Sequence, residues 1–293
     1  MPRAGIVSVV GKPNAGKSTF LNRVIGEKLS IVSPKPQSTR DRIVGIHTRG
    51  DVQLVLLDTP GLLVPKYALQ ESMRRTALAT LADADAILYL ADATEGPPSP
   101  LPDVARLERP PKAPVVIALN KVDLLSSPQR ADLVERLPTA YAISAATGAG
   151  VDQLLEHLGT MVPQSPFLYP DDEISTQPVR FFAAELIRET ALEQLDDEVP
   201  YSVACEIEEY REARSPVYIR AVLHVERESQ KRILIGAGGQ RVREIGRAAR
   251  QKIEALVGDR VYLDLTVKVL ANWRRNVHAL HRFGYHIPED HSS

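Results

Sequence analysis

The chain has 293 residues, 44% hydrophobic and 25% charged, with 36 Lys+Arg against 37 Asp+Glu for a formal charge of -1. This composition excludes a disordered or collagen-like polymer, leaves room for two domains, and lets bulk electrostatics name no partner. The single cysteine, Cys205, excludes a disulfide framework or a cysteine-rich zinc site, and the five apolar-rich residues after Gly5 are too few for a signal-peptide core or a membrane span, so a cytoplasmic protein is expected.

In chain order, short apolar runs at Ile6 to Val10, Gln53 to Leu57, Ala86 to Leu90 and Val115 to Leu119 read as buried strands. Helical spacing at Lys17 to Ile25, Leu69 to Ala82 and Val151 to Leu158 separates or follows them. The pattern predicts a mostly parallel sheet covered by helices on both faces over residues 1–163. Pro163, Pro166 and Pro170, with Asp171-Asp172-Glu173, mark 164–176 as an extended linker. The grammar then changes to helix-like Val179 to Leu195, alternating Ser202 to Glu208 and Val217 to Val225, helix-like Gln240 to Val257 and alternating Val261 to Val269. This predicts a smaller α+β domain over 177–275, followed by a basic tail at 276–293. Charge is polarised within it: five Arg against ten acids from Thr176 to His224, thirteen Lys+Arg against eight acids from Val225 to Ser293.

Gly11-Lys12-Pro13-Asn14-Ala15-Gly16-Lys17-Ser18 fits G-x-x-x-x-G-K-S directly after a predicted strand. Small residues let consecutive amides wrap phosphates, Lys17 neutralises their charge, and the Ser18 hydroxyl suits Mg²⁺. Asp58-Thr59-Pro60-Gly61 closes the next strand, where a carboxylate reaches the metal and Gly61 offers its amide to a terminal phosphate. Asn120-Lys121-Val122-Asp123 closes another, and Asp123 presents two acceptors matching the N1–H and exocyclic amine of guanine but not the edge of adenine. Ser144-Ala145 would close around the base. Taken singly, each is also an ordinary turn; in order, at the carboxyl ends of successive strands, they make one nucleotide site.

That set resembles the translation-factor-related GTPases. The resemblance implies that Thr39, in Gln37-Ser38-Thr39-Arg40, joins Ser18 and Asp58 on Mg²⁺. The residues expected on nucleotide or metal are Gly11, Lys12, Pro13, Asn14, Ala15, Gly16, Lys17, Ser18, Thr19, Thr39, Asp58, Thr59, Pro60, Gly61, Asn120, Lys121, Asp123, Ser144 and Ala145. Ras-like enzymes orient the attacking water with a glutamine after the D-x-x-G glycine, a position held here by Leu62. Basal hydrolysis of GTP to GDP and phosphate is therefore expected to be slow, with Lys17, Thr39 and Asn14 as catalytic residues. Asn14 stands where related GTPases help hold a monovalent cation such as K⁺, or it merely caps the loop. Segments 33–42 and 61–73 are the expected switches.

In the second domain, Gly236-Ala237-Gly238-Gly239 is a G-x-x-G turn between helix-like segments, with Lys231, Arg232, Arg241, Arg243, Arg247 and Arg250 nearby. It matches the nucleic-acid clamp of KH domains, in which a turn without bulky side chains lets a phosphate backbone approach. The expected RNA contacts are Lys231, Ile235, Gly236, Ala237, Gly238, Gly239, Gln240 and Arg241. Over nearly its whole length the chain resembles the Era family, which implies an α/β P-loop GTPase domain followed by a type II KH domain. It also implies binding to the 3′ end of 16S ribosomal RNA and the 30S precursor, as a monomer, with peripheral contact at the inner membrane face in some members. Relatives commonly carry a lysine inside the glycine turn where this chain has Ala237. Trp273, Phe283 and Tyr285, with Arg274, Arg275, His278, His281 and Arg282, could stack on RNA or pack on the domain core. Two alternatives stay open: a GTPase whose second domain docks protein or membrane, and an RNA-binding protein with a decayed nucleotide fold.

Overall fold

The computed structural model describes residues 1–285 except 34, 36, 196–198 and 214; Pro34 and Pro36 of the switch segment, six members of the charge tally (Asp196, Asp197, Glu198, Arg214, Glu289 and Asp290) and residues 286–293 of the tail therefore lie outside the described residues. The chain divides into two compact units, Met1–Pro65 with Met73–Thr176, and Lys66–Ser72 with the residues from Gln177 onward.

The first unit runs β1 (Arg3–Val10), α1 (Lys17–Ile25), β2 (Ile43–Arg49), β3 (Val52–Asp58), α2 (Ala68–Asp83), β4 (Ala86–Asp92), α3 (Leu101–Ala105), β5 (Val115–Asn120), α4 (Ser127–Arg136), β6 (Tyr141–Ala142) and α5 (Val151–Met161). Its sheet has the order β2-β3-β1-β4-β5-β6, parallel except for β2 against β3. Strand β1 pairs with β3 on one side and β4 on the other. The order therefore reverses at β1 and opens a crevice at its carboxyl end, where such sheets bind ligands.

Strand β2 escapes the sequence reading because only its first half is apolar: Ile43 to Ile46 are buried while Arg49 is exposed. Helix α4 escapes it because Leu133 is its one buried residue, leaving no apolar stripe to detect. Its start does carry a signal, the Ser126 N–H donating to Gln129 Oε1 at 3.0 Å.

The proline-rich stretch 164–176 is extended but fastened to the first unit. Gln53, fully buried in β3, accepts at Oε1 from the amides of Leu168 (2.8 Å) and Tyr169 (3.0 Å) and donates to Tyr169 O (2.9 Å). The Ile46 amide donates to Ile174 O at 2.9 Å, and the Ser175 hydroxyl donates to Val44 O. A buried glutamine within a strand needs such partners.

The second unit contains α6 (Val179–Gln194), β7 (Ala204–Arg211), β8 (Val217–Val225), α7 (Glu228–Ile235), α8 (Gln240–Val257), β9 (Val261–Val269) and α9 (Val277–Arg282). Its sheet runs β7-β8-β9, antiparallel then parallel. Ile187, Ala191, Leu234, Ile245 and Ile253 from the helices pack on Ile219, Ala221 and Leu223 of the central strand. Trp273 is fully buried, donates Nε1–H to Ser202 O at 2.8 Å and meets Phe283 edge-on at 5.2 Å. Arg282 pairs with Glu206, and Arg274 with Glu226. Trp273 thus belongs to the core of this unit, because an indole fully removed from water with its N–H satisfied has no face left for a base; Tyr285 is buried and Phe283 half-buried. Burial also pushes the Cys205 thiol well above its usual range, which disfavours the nucleophilic thiolate.

Candidate functional site

At the carboxyl edge of β1 the chain turns through Gly11 to Ser18 and enters α1. Gly16 stands at φ 94°, and a Cβ there would lie 2.2 Å from Asn120 Nδ2, so the backbone and the neighbouring strand both demand glycine. Above the loop opens a cavity of about 360 Å³. Its lining includes Pro13, Asn14, Gly16, Lys17, Ser18, Thr19, Thr39, Gly61 and Lys121. Asn14 is exposed at its rim in a left-handed conformation, φ 63°.

Lys17 is buried, and its ammonium donates to Lys12 O at 3.0 Å and Gly11 O at 3.3 Å. Burial pushes its pKa down to about 8, with the Asp58 carboxylate pulling it back up. The Ser18 hydroxyl donates to Asp58 Oδ2 at 2.8 Å and lies 2.8 Å from Thr39 Oγ1. The Ser30 hydroxyl also donates to Asp58 Oδ2, at 2.7 Å. Asp58 Oδ1 is buried without a partner among the described residues, and burial raises this carboxyl above the ordinary range although Lys17 and the two hydroxyls act against it. The Ser18 and Thr39 hydroxyls and the Asp58 carboxylate, whose Oδ1 is buried and unpartnered among the described residues, fit a hard divalent cation such as Mg²⁺.

The base end is assembled by strand register. Asp92 lies opposite Asn120 at the sheet edge. Asn120 Nδ2 donates to Ala15 O at 2.8 Å while its Oδ1 accepts from the Ala145 amide at 2.9 Å, so one side chain ties the phosphate loop to the base loop. Ser144 is buried and shapes its own loop, accepting the Thr147 amide at 3.1 Å. Asp123 is exposed and forms no hydrogen bond or ion pair with the described residues, which leaves both carboxylate oxygens for a ligand.

Other expected members support the cavity rather than line it. Gly11, Ala15, Thr59 and Pro60 are buried, and the Thr59 hydroxyl donates to Val9 O at 2.9 Å. The Lys12 ammonium turns to Glu95 at 3.2 Å and lines a separate cavity of about 230 Å³. Leu62 is buried beside Val10 and Ala77, its amide donating to Gly11 O at 2.9 Å, so this position offers water nothing. Two residues that the sequence reading missed hold the base end in place. Asp92 Oδ2 accepts from the Lys121 ammonium at 2.6 Å; burial disfavours its charge, but Lys121 and Thr94 hold its pKa below the usual value. Arg23 donates Nε–H to Ala145 O at 3.2 Å and a second N–H to Ala146 O. Only their charge marked them, and charged residues near turns are common.

In the second unit α7 ends at Gly236 (φ 71°), and Gly238 (φ 56°) and Gly239 (φ 77°) carry the chain into α8. A Cβ on Gly238 or Gly239 would meet nothing within 4 Å, so the outside of the turn is open. Ile235, Gly236, Gly239, Arg241 and Lys231 are half-buried, and Ala237, Gly238 and Gln240 are exposed. Elsewhere in this unit Arg188, Lys252, Lys268, Arg274 and Arg282 are paired with carboxylates, whereas Arg180, Arg227, Arg260 and Arg275 form no ion pair with the described residues. Around the turn Lys231, Arg232, Arg241, Arg243 and Arg247 form no ion pair with the described residues. A cluster of unneutralised cations repels itself and is relieved by an anionic partner.

Comparison with known proteins matches both units to known families. Residues 6–121 match the model of a family described as 50S ribosome-binding GTPase, and residues 198–274 match that of the KH domain. A point variant of Aquifex aeolicus Era bound to GDP·AlF4⁻ is 38% identical, with a TM-score of 0.90 over 97% of this chain and 100% of its own. Era in complex with MgGDPNP and nucleotides 1506–1542 of 16S ribosomal RNA is 37% identical, with a TM-score of 0.91 over 98% of this chain and 100% of its own. A P-loop GTPase unit with a mostly parallel sheet, then a KH unit, in one chain that aligns end to end with these structures: the protein belongs to the Era family of GTPases.

Proposed function

We propose that this GTPase binds the 3′ end of small-subunit ribosomal RNA through its KH unit, that the bound nucleotide sets that affinity, and that the cycle assists assembly of the 30S particle. The observation that carries the reading is the open glycine turn with five cations around it that form no ion pair with the described residues, in a chain that also carries a guanine-nucleotide motif set. Its alignment with the Era complex containing 16S ribosomal RNA supports the choice of RNA.

The enzyme is a GTP hydrolase, and the chain's own groups divide the work. Asn120 and Asp123 select guanine, Lys17 and the loop amides hold the phosphates, and Ser18, Thr39 and Asp58 would hold Mg²⁺. That ion, when bound, neutralises charge developing on the phosphate oxygens. Leu62 leaves the attacking water without a side-chain base, which makes the intrinsic rate slow. In this reading Asn14, which lines the cavity, binds a monovalent cation; equal single-turnover rates in K⁺ and Na⁺ buffers would remove that role. In this reading the protein works in the cytoplasm, as a monomer. No helix among the described residues is long and apolar enough to cross a membrane, and peripheral contact at the inner membrane face rests on the family resemblance alone.

The test is fluorescence anisotropy with a labelled RNA spanning nucleotides 1506–1542. Full-length protein loaded with MgGDPNP should bind it more tightly than protein loaded with MgGDP. Equal affinities would end the switch, and absence of salt-dependent binding would end the RNA reading in favour of a protein or membrane partner.

A further inference from the structure

The Gly236–Gly239 turn carries one side chain, the methyl group of Ala237, and so brings no charge of its own to a phosphate. We infer that Arg243, in the first turn of α8, is the phosphate-binding cation of this turn, held in place by the turn's own carbonyls. The inference rests on the RNA reading above and assigns the residue that carries it out.

Arg243 Nε donates to Gly239 O at 3.1 Å and Nη2 to Gly238 O at 2.8 Å. The planar fork therefore grips two consecutive carbonyls, which fixes the guanidinium against the turn. A guanidinium has five N–H donors, and these bonds use two of them. The remaining donors meet no carboxylate among the described residues, and neighbouring Glu244 is engaged by Gln240 Nε2 at 2.9 Å. The outer surface at Gly238 and Gly239 is open, so a phosphodiester can lie on the turn within reach of that charge. A side chain already ordered in the free protein loses little rotamer freedom when the anion arrives.

The neighbouring cations are placed differently. Arg241 is half-buried and spends Nη1 on Ile233 O at 3.1 Å, at the end of α7. A Cβ on Gly236 would fall 2.8 Å from Arg241 Cβ, so Arg241 supports the turn from inside. Lys231 lies on α7 and forms no hydrogen bond to the turn from its side chain. Arg243 alone among these three joins the Gly238 and Gly239 carbonyls to a charge without an ion-pair partner among the described residues.

The experiment measures the salt dependence of RNA affinity, using the full chain with MgGDPNP and the labelled RNA described above, with folding checked by circular dichroism. Each phosphate contact to a single strand contributes about 0.7 to the slope of log affinity against log salt. Arg243→Gln, which keeps donors for the carbonyls but removes the charge, should weaken binding about five-fold near 0.1 M KCl and lower the slope by about 0.7. Arg243→Lys, which keeps the charge and loses the fork, should preserve the slope. Ala237→Lys in the Arg243→Gln background should restore it. An unchanged slope in Arg243→Gln, whatever the affinity, would mean that Arg243 only braces the turn and would overturn the inference. Absence of salt-dependent binding by the wild-type protein would instead bring down the RNA reading on which it rests.

Discussion

Raising the pH should strip the phosphate site of its cation before the protein loses its fold. Lys17 has a pKa of about 8 in the ligand-free protein because burial removes water from its ammonium. A polyphosphate beside it favours the charged form, so the pKa in the complex is higher than in the free site. The sign follows: the affinity contributed by this charge is fully present below about pH 8 and declines as pH rises towards the pKa of the complex. With a free pKa near 8, the protonated fraction falls from about nine-tenths at pH 7 to about one-tenth at pH 9, so GDP binding should weaken about ten-fold, or ~1.4 kcal/mol. Isothermal titration calorimetry in two buffers of different ionisation enthalpy would show uptake approaching one proton per site on the alkaline side. Lys17→Arg separates this effect from titration of the guanine ring, because a guanidinium stays charged throughout. A flat wild-type profile from about pH 7 to about pH 9, or an equal decline in Lys17→Arg, would refute the reasoning.

Trp273→Phe should destabilise the second unit by about 2–3 kcal/mol, since it leaves Ser202 O unsatisfied and a void in a fully buried site, while RNA affinity stays unchanged. Urea denaturation and anisotropy would check the two halves of that statement, and a large loss of RNA affinity in folded protein would restore a stacking role. Asp92→Asn should raise the Kd for GDP and GTP alike by about five-fold, through faster release, because Lys121 loses a charge-assisted hydrogen bond. Stopped-flow release of a fluorescent guanine nucleotide measures this, and an unchanged release rate would show that Lys121 needs no anchor. Leu62→Gln should fail to accelerate single-turnover hydrolysis and should cost about 2 kcal/mol, since the side chain at this position is buried against Val10 and Ala77. A faster rate would show that the segment can turn this side chain towards the phosphates.

What was legible in the sequence was what physics ties to residue type. The 3.6-residue apolar stripe gives α8 its bounds, Gln240–Val257, and strict alternation gives β9, Val261–Val269. Lys17, Ser18, Asp58, Asn120 and Asp123 were legible because phosphate, metal and guanine each demand a narrow set of donors or acceptors at the ends of strands. Strand β2 and helix α4 were hidden because each buries too little to leave a pattern. The docking of residues 164–176 was hidden because it depends on Gln53, a polar residue whose burial appears only when distant backbone supplies its partners. Asp92 and Arg23 act on residues far away in the chain, and Arg23 reaches backbone carbonyls, which any sequence supplies. Trp273 was ambiguous because a tryptophan among arginines suits a base stack as well as a core.

The fastening of residues 164–176 has a mechanical meaning. Strand β2 begins immediately after the 33–42 switch segment, and the backbone of Ile174 and the hydroxyl of Ser175 are hooked onto Ile46 and Val44 of that strand. The same short strand therefore carries the end of one loop and the anchorage of the stretch that closes the first unit. Ser175→Ala would remove one of these two hooks and leave the Ile174–Ile46 backbone bond as the other.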